Sequence, residues 1–338
     1  MFNIKVLKME DTKKVLPMDK VIETVEEVYR AKSVGDTVVF PLVFHEFEPG
    51  VADMDIKSGW LKDSQIFGLK LVSWFGENPE KGLPSLVGTV LIFDANTGAP
   101  VGLLDGSHIT GMRTGAAGAI GAKLLARKNS KKLLVVGAGH IATFQIAATL
   151  QCFPQLEEVM VYDAMDFPNA VRFVDAIKDK LEEDFHMKVS GVKFTAVGDV
   201  QAATGQSDII ITVTPSKQPI IMKEWVKPGT HFSCIGADMS GKEEVDPEIF
   251  KDARVFTDDT PQCMNVGEIE VPVAEGILKE EDIAGEIGDI LTGKVNGREN
   301  DSQITVFDAT GTALLDLLTG MVALEEAKKH GLGQTVEL

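Results

Sequence analysis

The sequence predicts an α/β protein in which a doubly wound domain with a parallel sheet is inserted into a mixed α+β domain. Strand-like and helix-like segments alternate between residues 131 and 259, a pattern typical of successive βαβ units. The chain before this stretch is mostly short strands, and the chain after it ends in a helix. Since the simplest path returns the tail to the first domain, we assign residues 1–118 and 311–338 to the first domain and residues 119–310 to the inserted domain.

The composition excludes several classes of partner. The 338 residues include 33 basic and 51 acidic side chains, a formal net charge of −18. A protein that binds nucleic acid or anionic membranes needs basic surface, so we expect neither partner. No apolar run approaches the roughly 18 residues of a membrane span. The N-terminus lacks the apolar core of a signal peptide, and three scattered cysteines suggest no disulfide framework. We therefore expect a cytoplasmic protein.

The first domain is predicted from its strand-like and helical patterns in turn. Residues 15–32 have apolar side chains at helical spacing, which predicts an amphipathic helix. Residues 36–105 contain β-rich runs separated by Gly, Pro and Asn, which predicts strands, with a hairpin turn at Asn-Thr-Gly 96–98. Residues 107–127, rich in Ala and Gly, predict a buried connecting helix, and residues 310–330 predict a final helix with an apolar stripe.

The inserted domain opens with a strand, a glycine turn and a helix, in the sequence LLVVGAGHIA at 133–142. In this GxGxxA pattern Gly137 permits a tight turn, Gly139 lets the backbone approach a diphosphate, and Ala142 lets the helix pack closely on the sheet. The free N–H groups and the dipole at the helix N-terminus favour negative charge. The pattern predicts a Rossmann-type dinucleotide site. The alternative is a glycine turn that only packs a helix.

Asp163 ends the second strand of this domain, 24 residues after Gly139. An acid about 20 residues after such a turn hydrogen-bonds the ribose hydroxyls of the dinucleotide. A carboxylate there repels a 2′-phosphate, and no arginine follows it in AMDFPN. We therefore predict NAD(H) rather than NADP(H). The alternative is a solvated acid at a strand end.

Two further residues follow strand ends, where ligands bind in open α/β sheets. Thr214 either contacts the cofactor or is only a β-branched residue before Pro215. Asp238 closes the segment HFSCIGAD, and it could exchange protons beside a nicotinamide if burial raised its pKa, or it could cap a turn. The six histidines show no metal-ligand spacing, so no catalytic metal is expected.

Lys70 and Arg113 lie in apolar stretches, IFGLKLVSWF and ITGMRTGAAG. Lysine and arginine are almost never fully buried unless they are paired. Either each side chain meets an acid in a structural ion pair, or both face a cleft that receives an anion. The residues alone leave both interpretations open.

These residues belong to longer stretches that resemble the ornithine cyclodeaminase/mu-crystallin family. The resemblance extends from about residue 35 to about residue 331 and includes HITGMRTGAAG, LLVVGAGHIA, IGADMSGKEEVDPEIFKDARVF, GEIEVPVAEG and DSQITVFDATGTALLDL. It implies a Rossmann domain inserted in a domain for substrate binding and dimerisation. It also implies a homodimer paired through the non-Rossmann domain.

By this resemblance, Lys70 and Arg113 would hold the substrate carboxylate, and Asp238 would exchange protons with the substrate nitrogen. Lys70 and Asp238 are thus the expected catalytic residues, and Asp55 falls close to an acidic position near the substrate amine. The resemblance also implies a set of residues in contact with the cofactor: Ser85, Arg113, Gly137, Gly139, His140, Ile141, Asp163, Thr214, Ile235, Gly236, Ala237, Lys242 and Ser302.

One position departs from the family pattern. Many relatives place an arginine two residues after the proline of the second strand, as a further contact to the carboxylate. Here Val43 stands at that spacing after Pro41. Val43 cannot make a charged contact, so either Lys57 takes the role in substrate binding or the substrate differs.

The resemblance implies hydride transfer between NAD and a carbon that bears nitrogen. The expected activity is ornithine cyclodeaminase-like: a small L-amino acid is oxidised to an imine, its distal amine attacks, ammonia leaves, and the cyclic imine is reduced. Within the family, the alternatives are an amino-acid dehydrogenase and a reductase of cyclic ketimines. An alternative of another class is a non-catalytic, crystallin-like protein that binds small molecules.

Overall fold

The structure, a computed structural model that describes residues 1–338, divides the chain into two units. The first unit comprises Met1–Arg113 and Thr312–Leu338, and the inserted unit comprises Thr114–Gly311. Each unit contains one eight-stranded sheet. None of the helices combines the length and the apolar character needed to pass through a bilayer.

Strands and helices are numbered in chain order. The strands are β1 (Asn3–Leu7), β2 (Thr37–Val39), β3 (Val43–Glu48), β4 (Ala52–Leu61), β5 (Ile66–Phe75), β6 (Leu86–Asp94), β7 (Pro100–Asp105), β8 (Lys132–Val136), β9 (Glu158–Tyr162), β10 (Lys193–Ala196), β11 (Ile209–Thr212), β12 (Lys217–Ile221), β13 (His231–Cys234), β14 (Glu243–Val245), β15 (Ala253–Thr257), β16 (Ile283–Glu286), β17 (Ile304–Asp308) and β18 (Gln334–Glu337). The helices are α1 (Met9–Val15), α2 (Met18–Ser33), α3 (Gly106–Leu125), α4 (His140–Cys152), α5 (Phe167–Phe185), α6 (Val200–Gln206), α7 (Thr260–Val266), α8 (Glu270–Ala274), α9 (Ile287–Leu291) and α10 (Ala313–Lys329).

The sheet of the first unit has the strand order β18-β1-β7-β6-β5-β4-β2, and β3 also pairs with β4. β1 lies parallel to β7, and the other pairs are antiparallel. The hairpin predicted at 96–98 is confirmed as the β6–β7 connection. Asp94 accepts hydrogen bonds from the N–H groups of Asn96 and Thr97, and Gly98 takes φ +72°, a left-handed conformation that favours glycine.

One face of this sheet packs on α10, and the other stays exposed. On the packed face, a Cβ added to Gly68 would lie 2.7 Å from Leu317 Cδ2, so only glycine fits between strand and helix. On the opposite face, Trp60, Leu71 and Leu103 are each 37% exposed. The first unit therefore presents an apolar sheet face to its surroundings.

Helices α3 and α10 are buried over most of their length. The buried connecting helix predicted at 107–127 is confirmed as α3, and the division between the units falls within it, after Arg113. The prediction of an apolar stripe for the final helix is too narrow, because every residue of its first two turns is buried, including Asp316. A fully buried acid on this helix needs cationic partners.

The sheet of the inserted unit is parallel throughout, in the order β10-β9-β8-β11-β13-β17-β15-β16. The chain runs outward from β8 through β9 to β10, and then crosses to the other side of β8 at β11. The strand order therefore reverses between β8 and β11. Ligands of doubly wound sheets bind at such a point, beyond the carboxyl ends of the strands. The predicted Rossmann-type fold class is confirmed.

The inserted unit differs from the prediction in some strands. β13 ends at Cys234, so Asp238 lies in a loop four residues beyond the strand rather than at its end. β17 lies inside the sheet, but the chain reaches it through the loop TGKVNGREN rather than from a helix, so the alternation of strands and helices does not indicate it. The small parallel pair of β12 and β14 also falls outside that alternation.

Candidate functional site

The glycine turn after β8 leaves open space in front of α4. Gly137 takes φ +114°, and a Cβ there would lie 3.0 Å from the carbonyl oxygen of Val213 and 3.1 Å from Thr214 Cγ2. Gly139 is the N-cap of the 13-residue helix α4, and no atom lies within 4 Å of a Cβ placed on it. Gly139 thus leaves room for a diphosphate at the free N–H groups of this helix.

The Asp163 carboxylate, just after β9, is held in place by local hydrogen bonds. Its Oδ1 accepts bonds from the N–H groups of Met165 (3.0 Å) and Asp166 (3.1 Å), and its Oδ2 accepts one from Asn169 Nδ2 (2.7 Å). Partial burial alone would raise the pKa of Asp163, but these hydrogen bonds outweigh burial and lower the pKa. Asp163 is therefore ionised at neutral pH, with a lone pair of Oδ2 left to accept a hydroxyl. Asn169 was not indicated by the sequence pattern.

The loops after β11 and β13 are joined by an acid that the sequence does not single out, Glu244. Its Oε1 accepts bonds from Thr214 N (2.6 Å) and Thr214 Oγ1 (2.7 Å), and its Oε2 accepts one from Gly236 N (3.0 Å). Ile235 and Ala237, on either side of Gly236, are buried. Burial raises the pKa of Glu244 to about 7, although the bonds from Thr214 and Gly236 oppose that rise. The predicted cofactor residues that follow these two strands therefore lie at the carboxyl edge of the sheet: Thr214, Ile235, Gly236 and Ala237.

Of the other residues that the resemblance assigned to the cofactor, His140 and Ile141 directly follow the glycine turn, whereas Ser302 lies at the opposite edge of the sheet. His140 and Ile141 begin α4, and the His140 ring packs edge-on against Phe144, with centroids 5.0 Å apart. Ser302 precedes β17, and its hydroxyl donates a bond to Asn300 Oδ1 (2.8 Å). Since the sheet is parallel, a residue just before a strand lies at the amino edge, opposite the glycine turn. The structure therefore does not bring Ser302 together with the other predicted cofactor residues.

Asp238 lies in the loop between β13 and β14 and is half exposed. Lys242 Nζ lies 2.6 Å from its Oδ1, in an ion pair in which the Asp238 side chain is 49% exposed. The loop is held by Glu270 of α8, which accepts bonds from Ser240 Oγ (2.5 Å) and Gly241 N (2.9 Å). Burial, the condition under which the sequence analysis allowed Asp238 to exchange protons, is not met, because the loop carries Asp238 beyond the apolar strand. What the structure provides instead is an accessible carboxylate beside a cation.

Lys70 and Arg113, in the first unit, share one buried acid. Lys70 Nζ lies 3.1 Å from Asp316 Oδ2, and Arg113 Nε lies 3.1 Å from Asp316 Oδ1. All three side chains are at most 7% exposed. The ion-pair alternative left open by the sequence is thus confirmed, although the two cations have one acid between them. The second alternative, a site for an anion, also remains. The cation pair of Lys70 and Arg113 carries two positive charges against the single negative charge of Asp316, so one positive charge is in excess.

Burial and the neighbouring charges shift the pKa values of Lys70 and Asp316. Burial, and then the charge of Arg113, lower the pKa of Lys70 to about 8, while the charge of Asp316 opposes the fall. Burial alone would raise the pKa of Asp316, but the charges of Arg113 and Lys70 outweigh burial and hold its pKa below the ordinary value. At neutral pH the acid is ionised, and Lys70 is mostly protonated.

Asp55 and Lys57 of β4 lie on the same sheet face as Lys70. Lys57 is the direct cross-strand partner of Lys70, and Asp55 is two residues away on the same strand. Val43 pairs with Ile56, so it lies on the opposite face. An arginine in place of Val43 would therefore not face Lys70. The register thus places Val43 away from Lys70, and the two alternatives raised by Val43 stay predictions.

Ser85 and Arg113 are the predicted cofactor residues that belong to the first unit. The Ser85 carbonyl accepts a backbone bond from Phe75 N (2.8 Å), just before β6 begins. Arg113 is occupied at Nε by Asp316. Their roles toward a cofactor stay predictions.

A model of the ornithine cyclodeaminase/mu-crystallin family matches residues 3–331. Alanine dehydrogenase of Archaeoglobus fulgidus is 35% identical over 332 residues, which is 98% of each chain. Iminosuccinate reductase of Paracoccus denitrificans is 32% identical over 316 residues, which is 94% of each chain.

Solved structures agree with these relatives. An archaeal alanine dehydrogenase dimer with bound NAD aligns with a TM-score of 0.91 at 35% identity and covers 100% of both chains. The Δ1-pyrroline-2-carboxylate reductase of Thermococcus litoralis, in complex with NADH and L-proline, aligns with a TM-score of 0.91 at 33% identity, covering 98% of this chain and 100% of that one. Both neighbours hold the dinucleotide that the sequence predicts.

Replacing Asp316 with Asn should destabilise the protein by about 3–5 kcal/mol, because two buried cations would lose their only shared charged partner. The free energy of unfolding in urea measures this loss. Glu325→Gln, which changes an exposed acid on the same helix, is the matched control and should leave the unfolding midpoint unchanged. Equal midpoints for Asp316→Asn and the wild type would contradict the assignment.

Proposed function

The chain belongs to the ornithine cyclodeaminase/mu-crystallin family, and we propose that it is an NAD-dependent oxidoreductase that interconverts a small L-2-amino acid and the corresponding 2-imino acid. The observation that supports this most strongly is the buried cation pair of Lys70 and Arg113, with its excess positive charge. The similar proteins are named alanine dehydrogenase and iminosuccinate reductase, and both names describe reactions at a carbon with nitrogen and carboxylate attached.

The first role is to hold the substrate carboxylate. Arg113 uses Nε for Asp316, so its two terminal nitrogens are placed to form a bidentate pair with a carboxylate. Lys70 adds a compact positive charge, which Asp316 keeps in position. Binding one carboxylate neutralises the excess charge of the group, which favours substrates that present a single α-carboxylate to it.

The second role is to hold NAD. The open space at Gly139 and the N–H groups of α4 suit a diphosphate, and the ionised Asp163 suits ribose hydroxyls. When bound, NAD accepts the hydride and NADH donates it. The chain's own contribution is orientation and the exclusion of a 2′-phosphate by the carboxylate of Asp163.

The third role is proton transfer at the substrate nitrogen, which we assign to Asp238. Oxidation of an amine to an imine removes a hydride from carbon and a proton from nitrogen, and Asp238 accepts that proton. In the reductive direction Asp238 returns the proton to the nitrogen. Lys242 Nζ lies 2.6 Å from the carboxylate and holds it in place.

A second candidate function is the ornithine cyclodeaminase-like reaction. It uses the same oxidation, after which the distal amine of the substrate attacks the imine carbon. Asp55 favours this candidate, because it lies on the sheet face of Lys70 and carries the charge that a distal ammonium requires. Ammonia release without net formation of NADH distinguishes this reaction from a dehydrogenase.

NADH absorbance and ammonia, measured with a panel of substrates, test the proposal. Pyrroline-2-carboxylate, or pyruvate with ammonium, should oxidise NADH. L-ornithine with NAD should release ammonia without net formation of NADH only if the second candidate is correct. Asp238→Asn should lower kcat by about 100-fold or more without weakening NADH binding, whereas Asp252→Asn, an exposed acid paired with Lys223, should have no effect. Binding of these acids without any turnover would support the non-catalytic alternative instead.

The same assay has an expected pH dependence. The pKa of Lys70 is about 8, and only its protonated form attracts a carboxylate. The KM for the substrate should therefore rise as the pH increases through about 8.

Replacing Asp163 with Ser should relax the preference for NAD, because the charge that repels a 2′-phosphate is removed. The ratio of kcat/KM for NADH and NADPH measures the change. Asp166→Ser, at a neighbouring acid whose side chain pairs with Arg172, is the control. An unchanged ratio in Asp163→Ser would place Asp163 away from the ribose.

We also propose that the chain forms a homodimer through the exposed apolar face of the first unit. Trp60, Leu71 and Leu103 lie on that face, and the similar alanine dehydrogenase is described as a dimer. Leu71→Glu should shift the mass in solution from dimer to monomer by light scattering. Val171→Glu, which changes an equally exposed residue of α5, should leave the mass unchanged. A monomeric wild type would refute the proposal.

A further inference from the structure

Glu244 and Glu268, two buried acids of the inserted unit, have no part in the roles described above. Glu244 lies in β14 and Glu268 lies just before α8, and both are at most 1% exposed. Buried carboxylates are costly unless hydrogen bonds compensate, so their partners indicate what they stabilise. Those partners are mainly backbone N–H groups rather than cations.

Glu244 joins two loops with one carboxylate. Each of its oxygens accepts a bond from the backbone of a different loop: Oε1 from Thr214 N, after β11, and Oε2 from Gly236 N, after β13. The Thr214 hydroxyl adds a third bond to Oε1. β11 and β13 are neighbours in the sheet, and their carboxyl ends lie at the edge where the glycine turn is also found.

The three loops fit together with little spare space. A Cβ on Gly236 would lie 2.4 Å from Glu244 Oε2 and 2.4 Å from the Thr214 carbonyl oxygen. A Cβ on Gly137 would lie 3.1 Å from Thr214 Cγ2. Thr214 therefore lies between the glycine turn and the loop of Gly236, and a shift of Thr214 would alter both.

Glu268 in turn fixes the backbone of Glu244. Its Oε1 accepts bonds from the N–H groups of Glu244 and Val245, both at 2.7 Å. Burial, and then the charge of Glu244, raise the pKa of Glu268 well above its ordinary value. The two acids form a chain of contacts from Glu268 to the strand of Glu244, and from Glu244 to the loops.

We propose that Glu244 is a positioning residue that sets the affinity for NAD(H) by fixing Thr214 and Gly236 at the carboxyl edge of the sheet. This inference rests on the proposed function for the use of NAD(H). It assigns Glu244 no contact with substrate or cofactor, and no proton transfer. Its effect passes through the hydrogen bonds that only a group with two acceptor oxygens can make to both loops.

Glu244→Gln tests this proposal with little change in shape. An amide offers one acceptor oxygen and one NH₂ group, so a donor would face the N–H of Thr214 or Gly236. The Kd for NADH, from the fluorescence of the bound dinucleotide, should rise about tenfold or more, equivalent to about 1.4 kcal/mol. Glu243→Gln is the matched control, because this neighbouring acid contacts the loop after β11 through its backbone N–H, which bonds Ser216 O, and that bond is kept in the variant. The Kd of Glu243→Gln should change less than twofold.

Thr214 provides a second test that does not depend on the folding of Glu244→Gln. Thr214→Val removes the hydroxyl bond to Glu244 and should raise the Kd, whereas Thr214→Ser keeps the hydroxyl and should restore wild-type affinity. In a double-mutant cycle, Glu244→Gln and Thr214→Val should raise the Kd by less than the product of their separate effects.

The outcomes separate this inference from the proposed function. If the wild type binds NADH and Glu244→Gln binds it equally while its thermal midpoint falls, Glu244 has only a structural role and the inference is refuted. If the double mutant raised the Kd by the full product of the two separate effects, Glu244 would not act through Thr214, and that part of the inference would be refuted. If the wild type does not bind NADH at all, the proposed use of NAD(H) fails, and this inference fails with it.

Discussion

The first unit depends on one fully buried carboxylate, that of Asp316. It pairs with Lys70 of β5 and Arg113 of α3, and it lies on α10, so one acid joins three elements that are distant in the sequence. Removing these charges from water is costly, and the ion pairs offset the cost only while all three groups stay in place. The same arrangement leaves one positive charge in excess, and the proposed carboxylate site depends on that charge.

In the proposed function, this local balance allows a chain with a net charge of −18 to bind a carboxylate as well as a dinucleotide. Charges that a ligand meets at short range in a dry site act far more strongly than charges spread over solvated surface. In the first unit that local charge is Lys70 with Arg113, and in the inserted unit it is the set of N–H groups before α4. Net charge describes the surface, and the embedded groups decide which ligand binds.

The sequence was most informative where local geometry determines the residue. The turn at Gly137 and the acid at Asp163 could be predicted because strand, turn and helix lie consecutively in the chain. Asp316 could have been found by the reasoning applied to Lys70, since it too is a charge in an apolar stretch, TALLDLLTG. Glu244 could not, because its partners follow two other strands. Ser302 also required the sheet topology, since its position relative to β17 decides which edge it occupies.

The position of the Arg113–Asp316 pair also has a consequence for the order of folding. The two residues are 203 apart in sequence, yet they stand within five residues of the points where the chain leaves the first unit and returns to it. Closing so long a loop in an unfolded chain costs roughly 5 kcal/mol of entropy. Once the inserted unit has folded, the remaining entropy cost of bringing Arg113 and Asp316 together is much smaller, because the compact unit limits how far its two ends can separate. Synthesis delivers the inserted unit before α10, which favours the first unit being completed last.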